Sequence, residues 1–246
     1  MIGFLRSSLF LLWFAAISAL MHVGLLPLLL LPAGASLGAA RLWAKSVLFG
    51  LRWIAGTGLE VRGTLASPRV LIASKHFSMW ETIAFLTLLP GPAIVLKQSL
   101  LKIPFYGWYA RRMRMIAIDR SAGARAIRTM AAEAKSALDA NRPIVIFPEG
   151  TRKEPGAEPD YKPGVAALYA LLGVPCVPVA HNSGVFWSGF WKRPGTIVVE
   201  FLEPIAPGLS RQQFMEELQA RIEAATGRLL EEGRERANSR MTVLGV

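Results

Sequence analysis

The sequence predicts an α/β fold with a largely parallel central sheet flanked by helices, preceded by an N-terminal membrane-anchoring helical segment. From residue 57 onward, short apolar runs alternate with segments of helical periodicity, which is typical of βαβ units. Before that point, no Asp, Glu, Lys or Arg lies between Arg6 and Arg41. We therefore expect anchoring helices at 1–56, an α/β domain at 57–232 and a basic C-terminal tail of little order at 233–246.

The first apolar run covers residues 9–31 and is nearly free of polar side chains. A run of about 20 apolar residues is long enough to span a bilayer. Because Arg6 precedes the run, a secretory signal peptide is the competing interpretation, but the length of the run and the positions of Pro27 and Pro32 disfavour it.

A second N-terminal helix is predicted at 40–54, where apolar residues recur at helical spacing. Arg41, Lys45 and Arg52 fall near one another on the opposite side of this helix. The pattern favours an interfacial amphipathic helix that forms a two-helix hairpin with the first run. A core helix of the following domain is the alternative.

Composition restricts the classes of partner. The net charge is +11 with a pI near 10.4, yet the mean hydropathy is +0.37. Nucleic-acid-binding proteins are basic but seldom this apolar, so we expect an anionic membrane surface rather than nucleic acid as the partner. Cys176 is the single cysteine, which excludes an internal disulfide and a cysteine-based zinc site. No metal or other cofactor is expected.

The α/β domain is predicted to contain six strands and four helices. The strands are expected at 69–74, 93–96, 113–118, 144–147, 176–180 and 196–201. The helices are expected at 79–89, 121–140 and 163–172, followed by a polar final helix. Ser210 and Gln213 have the spacing of a capping box, which marks the start of that final helix.

Polar residues follow five of these strands, and ligands of open α/β sheets bind beyond the carboxyl ends of the strands. The sequence therefore predicts a cationic active site at one edge of the sheet. The residues concerned are Lys75, His76, Lys97, Gln98, Asp119, Arg120, Glu149, Gly150, Thr151, Arg152, His181 and Asn182.

His76 and Glu81 are the candidate catalytic pair. Histidine is the usual general base near neutral pH, and a carboxylate that fixes its tautomer improves it. Residues five apart on one helix point away from each other. The two side chains can therefore meet only if His76 lies in the loop after its strand and Glu81 lies on the first turn of the next helix.

Residues 149–152 form the second candidate cluster. Gly150 allows the backbone to approach a ligand closely, while Thr151 and Arg152 offer donors suited to a phosphate. Glu149 has the wrong charge for phosphate and is expected to orient an arginine.

Two further cations follow neighbouring strands. Arg120 is either a second phosphate contact or the ion-pair partner of Asp119. Lys97 could lie near a developing oxyanion, although a solvated surface lysine is the simpler interpretation.

In order along the chain, these motifs resemble the four motif blocks of the 1-acylglycerol-3-phosphate acyltransferase family. The resemblance covers roughly 58–201, and the apolar N-terminus is similar to the membrane helices of short bacterial members. The matching residues are His76 and Glu81, then Asp119 and Arg120, then 147–152, then 177–179.

The resemblance implies transfer of an acyl group from acyl-CoA or acyl carrier protein to the sn-2 hydroxyl of 1-acylglycerol 3-phosphate, at the cytoplasmic face of the inner membrane. It implies that His76 is the base, that Glu81 orients it, and that Arg152, helped by Arg120, binds the phosphate of the lyso-phospholipid acceptor. Lys97 or the backbone amides around Gly150 would then stabilise the oxyanion.

The chain departs from the family pattern at one position, because Glu81 stands where the family usually has Asp. Three alternatives remain at this stage. One is an acyltransferase for another lyso-lipid, such as a lyso-ornithine lipid. The second is a serine hydrolase, because Gly34, Ser36 and Gly38 match the G-x-S-x-G pattern. The third is a non-catalytic basic membrane protein.

Overall fold

The computed structural model describes residues 1–65, 67–119 and 122–243, with side chains described as far as residue 237. Seven strands of the described chain form one sheet in the order β1-β9-β6-β2-β5-β3-β4, and β7 and β8 form a separate hairpin. The strands are β1 (Thr57–Arg62), β2 (Leu71–Ser74), β3 (Ala93–Lys97), β4 (Ile116–Ile118), β5 (Ile144–Ile146), β6 (Cys176–His181), β7 (Trp187–Ser188), β8 (Trp191–Lys192) and β9 (Gly195–Phe201).

The sheet is largely parallel, which confirms the predicted fold class. The five strands from β6 to β4 all run in one direction. β9 pairs antiparallel with β6, and β1 pairs parallel with β9 at the edge of the sheet. The carboxyl ends of the five parallel strands therefore share one edge, where the polar residues singled out above emerge.

Helices cover both faces of the sheet. α1, α2 and α3 pack on one face, and α5, α6 and α8 pack on the other. The helices are α1 (Ile2–Gly24), α2 (Ala33–Gly50), α3 (Trp80–Leu88), α4 (Tyr106–Arg112), α5 (Gly123–Asp139), α6 (Gly164–Leu172), the one-turn α7 (Ser183–Phe186) and α8 (Arg211–Val243). Short 3₁₀ turns lie at Leu26–Leu30 and Gln98–Lys102, and a π turn at Leu51–Ala55 prolongs α2.

α1 and α2 form the predicted two-helix hairpin. The indole N–H of Trp13 donates to the carbonyl of Ser46, and that of Trp43 donates to Ser18 Oγ, so the helices run antiparallel. By length and composition, α1 is the one helix of the described chain that could cross a membrane. One side of α1 is nevertheless packed on the domain, because Phe10 is fully buried.

α2 combines the two interpretations that the sequence left open. Ala44 and Val47 are fully buried in the core against the sheet, as in a core helix, while Phe49 and Trp53 are more than half exposed. Arg41 is not a surface cation in the sense expected. Its guanidinium donates to the carbonyls of Leu86 and Leu89 and thereby satisfies the C-terminal end of α3.

One predicted strand needs correction, and several observed elements were not predicted. The strand expected at 113–118 begins only at Ile116, because Met113 follows the last residue of α4 and Arg114 has a φ of 53°. β1 and α4 were not predicted. β1 carries glycine and charged residues and is held by its pairing with β9, which lies far away in the sequence.

The C-terminal segment is not the tail of little order expected from residue 233, because α8 is helical through Val243. Arg62 of β1 forms a bidentate pair with Glu232, and Arg236 pairs with Glu60, so the last turns are fastened to the edge strand. The start of α8 agrees with the prediction. Ser210 N–H donates to Gln213 Oε1 at 3.1 Å, and Gln213 N–H donates to Ser210 Oγ at 3.3 Å.

Candidate active site

His76 and Glu81 meet in the arrangement that their spacing required. β2 ends at Ser74, His76 lies in the following loop, and Glu81 lies on the first turn of α3. The imidazole Nδ1 and the Glu81 Oε1 are 2.7 Å apart. Because an ionised carboxylate only accepts hydrogen bonds, Nδ1 carries the proton and Nε2 presents its lone pair.

Glu81 is almost fully buried and accepts several hydrogen bonds. The backbone N–H groups of Phe77 and Ser78 each donate to Oε1 at 2.8 Å. The hydroxyls of Ser78 and Ser183 approach Oε2 at 3.1 and 3.3 Å. Burial alone raises the pKa of Glu81, but the hydrogen bond with His76 and the nearby histidines outweigh it and hold the pKa below its ordinary value. The residue is therefore an anion at neutral pH.

The imidazole ring of His76 is also fixed by stacking. It lies on the ring of Phe147 with centroids 4.1 Å apart and an interplanar angle of 20°. The side chain remains 13% exposed, and Nε2 forms no hydrogen bond with the described residues. The imidazole is thus held from two sides while its Nε2 stays accessible.

The backbone N–H and carbonyl groups of Lys75 and His76 are all hydrogen-bonded. His76 N–H donates to Glu149 Oε2 at 3.1 Å, and its carbonyl accepts from Lys153 N–H at 2.9 Å. The carbonyl of Lys75 accepts from His181 Nε2–H at 2.9 Å. Burial lowers the pKa of His181, although the charge of Glu81 partly opposes this, so His181 is neutral and acts as a donor here. The loop is consequently rigid.

Glu149 faces inward rather than into the open edge of the sheet. It is fully buried, and its Oε1 lies 2.8 Å from Lys75 Nζ. Lys75 Nζ also lies 2.8 Å from Glu223 of α8, which accepts from the hydroxyl of Tyr161 at 2.8 Å. Burial and the two carboxylates raise the pKa of Tyr161 well above its ordinary value. The expectation that Glu149 orients an arginine is therefore wrong, because its partners are a lysine and the backbone of His76.

The turn after Glu149 exposes Thr151 and Arg152. Gly150 has a φ of 65°, a conformation that favours glycine, and its N–H donates to the carbonyl of Phe147 at 2.9 Å. In the part of the chain that the structure describes, Arg152 forms no ion pair. Its positive charge lies close enough to Tyr106 to affect the hydroxyl. Burial raises the pKa of that hydroxyl, and the charge of Arg152 partly opposes the rise. An unpaired guanidinium therefore lies next to the dyad-bearing loop.

Lys97 and Arg120 are less closely tied to this site. Lys97 ends β3 and is exposed at the same edge, two strands away from β2 in the sheet order. Two strand spacings amount to roughly 10 Å. Arg120 lies outside the described residues, so its predicted role stays a prediction.

Residues 58–182, half of the chain, match the family model described as Acyltransferase. The chain belongs to the Acyltransferase family. The matched segment contains the His76–Glu81 pair and the turn that carries Arg152, whereas α1, β7, β8 and α8 lie outside it.

Individual relatives agree with this assignment. A protein of Pseudomonas aeruginosa named 1-acyl-sn-glycerol-3-phosphate acyltransferase is 38% identical over 161 residues, which cover 64% of this chain and 63% of that protein. A protein of Helicobacter pylori with the same name is 32% identical over 178 residues, 69% of this chain and 73% of its own length. The chain thus spans somewhat less than two thirds of the Pseudomonas protein and about half of a coconut relative.

A solved structure has the same fold. The crystal structure of the 1-acyl-sn-glycerophosphate (LPA) acyltransferase PlsC from Thermotoga maritima superposes with a TM-score of 0.73 at 20% sequence identity. The superposition covers 91% of this chain and 96% of that chain.

The serine-hydrolase alternative finds little support in the geometry of this member of the Acyltransferase family. Ser36 of the G-x-S-x-G pattern is buried within α2 rather than exposed at a strand-to-helix turn, and its Oγ has no partner among the described residues. No group of three or more His, Cys, Asp or Glu that could hold a metal occurs within 1–65, 67–119 and 122–243.

Sequence reasoning missed two residues that build the site, Glu223 and Ser183. Lys75 was expected at this edge and Phe147 belongs to a predicted motif, but neither was given a role. Glu223 and Ser183 carried no signal in the sequence, because their contacts depend on how α8 and α7 dock against the sheet.

Proposed function

We propose that this chain transfers a fatty acyl group from the thioester of acyl-CoA or acyl carrier protein to the sn-2 hydroxyl of 1-acylglycerol 3-phosphate, forming phosphatidic acid. The observation that carries the proposal is the 2.7 Å contact between His76 and Glu81 beside the unpaired Arg152. The names of the relatives from Pseudomonas and Helicobacter support the choice of acceptor.

In the proposed reaction, Nε2 of His76 removes the proton from the acceptor hydroxyl as its oxygen attacks the thioester carbonyl. Glu81 stabilises the imidazolium that forms, because its carboxylate already accepts the Nδ1 proton. The tetrahedral intermediate then expels the thiolate of the donor, and the imidazolium returns the proton to that sulfur. A new ester bond and a free thiol result, and no metal or other cofactor is needed.

The oxyanion of this intermediate requires donors near the dyad. The N–H of Gly150 is engaged with the carbonyl of Phe147. The N–H groups of Thr151 and Arg152 are the better backbone candidates, because they donate to no backbone carbonyl in the described part of the chain. Lys97 is the remaining candidate, at the end of β3 two strands away from β2.

Arg152 is the proposed site for the acceptor phosphate, with Arg120 as a second contact. A guanidinium without a carboxylate partner keeps its donors available for a bidentate pair with phosphate. Thr151 can add a hydroxyl donor beside it. Glu149 is assigned a positioning role, because its carboxylate is occupied by Lys75 and His76.

We place the enzyme on the cytoplasmic face of the inner membrane. α1 contacts the domain near both ends, through Ser7 with Lys192 and through His22 with Tyr109. A helix packed along the domain over its length lies more readily in one leaflet than across the bilayer. Its exposed apolar side chains and the net charge of +11 suit an anionic lipid surface.

The test is an acyl-transfer assay with purified full-length protein and a radiolabelled acyl group, supplied as the CoA and as the carrier-protein thioester. The acceptors are 1-acylglycerol 3-phosphate, a lyso-ornithine lipid and glycerol 3-phosphate. We expect phosphatidic acid from the first acceptor and little product from the other two. Preferred acylation of lyso-ornithine lipid would overturn the acceptor assignment, and hydrolysis without transfer would overturn the reaction class.

A further inference from the structure

The β7–β8 hairpin carries exposed aromatic residues that the acyl-transfer site does not use. Phe190 and Trp191 are 39% and 48% exposed, and Phe4 near the start of α1 is 59% exposed. Their rings contact one another, with the Phe190 centroid 5.4 Å from Phe4 and 5.3 Å from Trp191. We call these three residues the aromatic cluster. Such a group of large exposed rings marks a contact surface rather than ordinary solvent-facing sequence.

The hairpin that presents the cluster is internally satisfied. Lys192 is 2% exposed, and its Nζ donates to the carbonyls of Gly189 at 2.6 Å and Phe190 at 3.1 Å. The same ammonium lies 4.7 Å from the ring centroid of Trp187. In water, turn carbonyls need no such donor. Where water is scarce, as at the lipid boundary, each unsatisfied carbonyl is costly, so an internal donor is of value there.

The hairpin is also fastened to α1. The backbone N–H of Lys192 donates to Ser7 Oγ at 3.0 Å, and Ser7 is fully buried in this contact. The aromatic cluster is therefore continuous with the exposed apolar side of α1, which includes Leu5 and Leu9. Any surface that contacts this end of α1 meets Phe190 and Trp191 as well.

The charges around the cluster favour an anionic partner. Residues 1–59 and 161–199, which contain α1, α2 and the hairpin, include none of the 17 carboxylate side chains of the chain. Arg6 and Arg193 flank the cluster, are exposed and form no ion pair with the described residues. Aromatic rings bordered by cations are typical of segments that bind the headgroup region of anionic bilayers.

We propose that the aromatic cluster inserts into the headgroup region of an anionic phospholipid bilayer and forms a second attachment point beside the N-terminal helices. The inference rests on the proposed membrane location of α1 and α2. It adds the β7–β8 hairpin, which is bonded to Ser7 of α1, to that surface, so that the α/β domain contacts the lipid in addition to the N-terminal helices.

The first experiment places a fluorescent label at the tip of the hairpin. The native Cys176 is fully buried, and burial raises the pKa of its thiol, so a new surface cysteine can be labelled selectively. Phe190→Cys is labelled with an environment-sensitive nitrobenzoxadiazole group. Leu171→Cys is the matched control, because Leu171 is 41% exposed on α6, which covers the opposite face of the sheet. Wild-type protein reports any reaction at Cys176.

Vesicles of phosphatidylethanolamine and phosphatidylglycerol should shift the fluorescence emission of the label at 190 to shorter wavelength. Lipids that carry a nitroxide near the headgroup should quench this emission. The label at 171 should change little. Equal responses of the two labels on vesicle-bound protein would overturn the proposal. If wild-type protein did not sediment with vesicles, the membrane location itself would fail. The acyl-transfer assay in detergent micelles is independent of both results.

The second experiment removes the rings. The double variant Phe190→Ser with Trp191→Ser should partition into the same vesicles about tenfold more weakly, since two partly buried aromatic side chains are lost. Leu171→Ser should partition as wild type does. Acyl transfer in detergent micelles should be unchanged in both variants, which also shows that they are folded. Wild-type partitioning of the double variant would contradict the proposal.

Discussion

The two loops that form the candidate site differ in how they are held. The loop that carries His76 has bonded peptide groups, a stacked imidazole and a buried carboxylate partner. The loop that carries Arg152 begins from the same clamp at Glu149, yet its guanidinium is exposed and forms no ion pair with the described residues. The polar groups of the first loop are satisfied within the protein. In the second loop, the Arg152 guanidinium remains available to bind a ligand.

This difference matches the two tasks that the proposed mechanism assigns to His76 and Arg152. A general base works best when its tautomer and direction are fixed before the substrate arrives, which avoids reorganisation during proton transfer. A cation that binds an acceptor phosphate must stay unpaired until the acceptor is present. Glu149 connects the two loops, because its carboxylate accepts the backbone N–H of His76 and Glu149 itself precedes Arg152 in the second loop. We call this contact, together with the ion pair to Lys75, the clamp.

The largest expected effect concerns the stability of this clamp. Lys75→Met leaves Glu149 and Glu223 without their shared cation, and a broken buried ion pair costs about 3–5 kcal/mol. Urea unfolding followed by circular dichroism should show this loss. Lys162→Met, which removes a pair with the exposed Asp160, should cost under about 1 kcal/mol. Equal unfolding midpoints for the two variants would rule out the clamp.

The next effect concerns the orientation of the base. Glu81→Gln keeps the shape of the side chain, and its amide can donate to the hydroxyls of Ser78 and Ser183. The variant loses the charge that stabilises the imidazolium, so kcat should fall by about 100-fold with little change in Tm. Glu217→Gln, which alters a partly exposed ion pair on α8 far from His76 in the sequence, is the control. Wild-type kcat in Glu81→Gln would remove Glu81 from the mechanism.

A change in the loop that carries the unpaired Arg152 should affect acceptor binding rather than kcat or stability. Arg152→Ala should raise the KM for 1-acylglycerol 3-phosphate by about 10- to 100-fold, the value of a lost charge-assisted hydrogen bond. The KM for the acyl donor and the Tm should hardly change. Arg128→Ala, at an exposed arginine on α5, serves as the control. An effect confined to the acyl donor would contradict the phosphate assignment.

The smallest effect is on acid stability. Because the pKa of Glu81 is lowered by folding, its ionised form stabilises the fold above the ordinary pKa near 4.5. This contribution is lost as the pH falls through the lower pKa of the folded state. The stability difference between wild type and Glu81→Gln should therefore shrink between neutral pH and pH about 3. If the difference between the urea midpoints of the two proteins stayed constant across that pH range, the pKa of Glu81 would not be lowered by folding.

Much of the fold could be predicted from the sequence because the parallel strands are short apolar runs. The buried strands β2, β3, β5 and β6 lie within a few residues of their predicted bounds. β1 was missed because it is not a continuous apolar run: Leu59 and Val61 alternate with Glu60 and Arg62. The strand is held by its pairing with the distant β9. The helical end of α8 was missed for the same reason, since its ion pairs are made with β1.

In the candidate site, too, contacts between residues close in sequence could be predicted and contacts between distant residues could not. The contact between His76 and Glu81 spans five residues, so its geometry followed from one loop and one helix start. The partners of Lys75 are 74 and 148 positions away along the chain, and no local pattern connects them. The sequence therefore predicted an arginine as the partner of Glu149, whereas the structure shows Lys75. The position of Glu149 after its strand was predicted correctly.

The account rests on His76 as the base, and His76→Ala tests it most directly. The kcat for transfer from acyl-CoA to 1-acylglycerol 3-phosphate should be measured at saturating substrates, together with Tm. We predict a loss of about 10²- to 10⁴-fold in kcat at a Tm close to that of wild type. A folded His76→Ala protein that turns over at the wild-type rate would contradict the account.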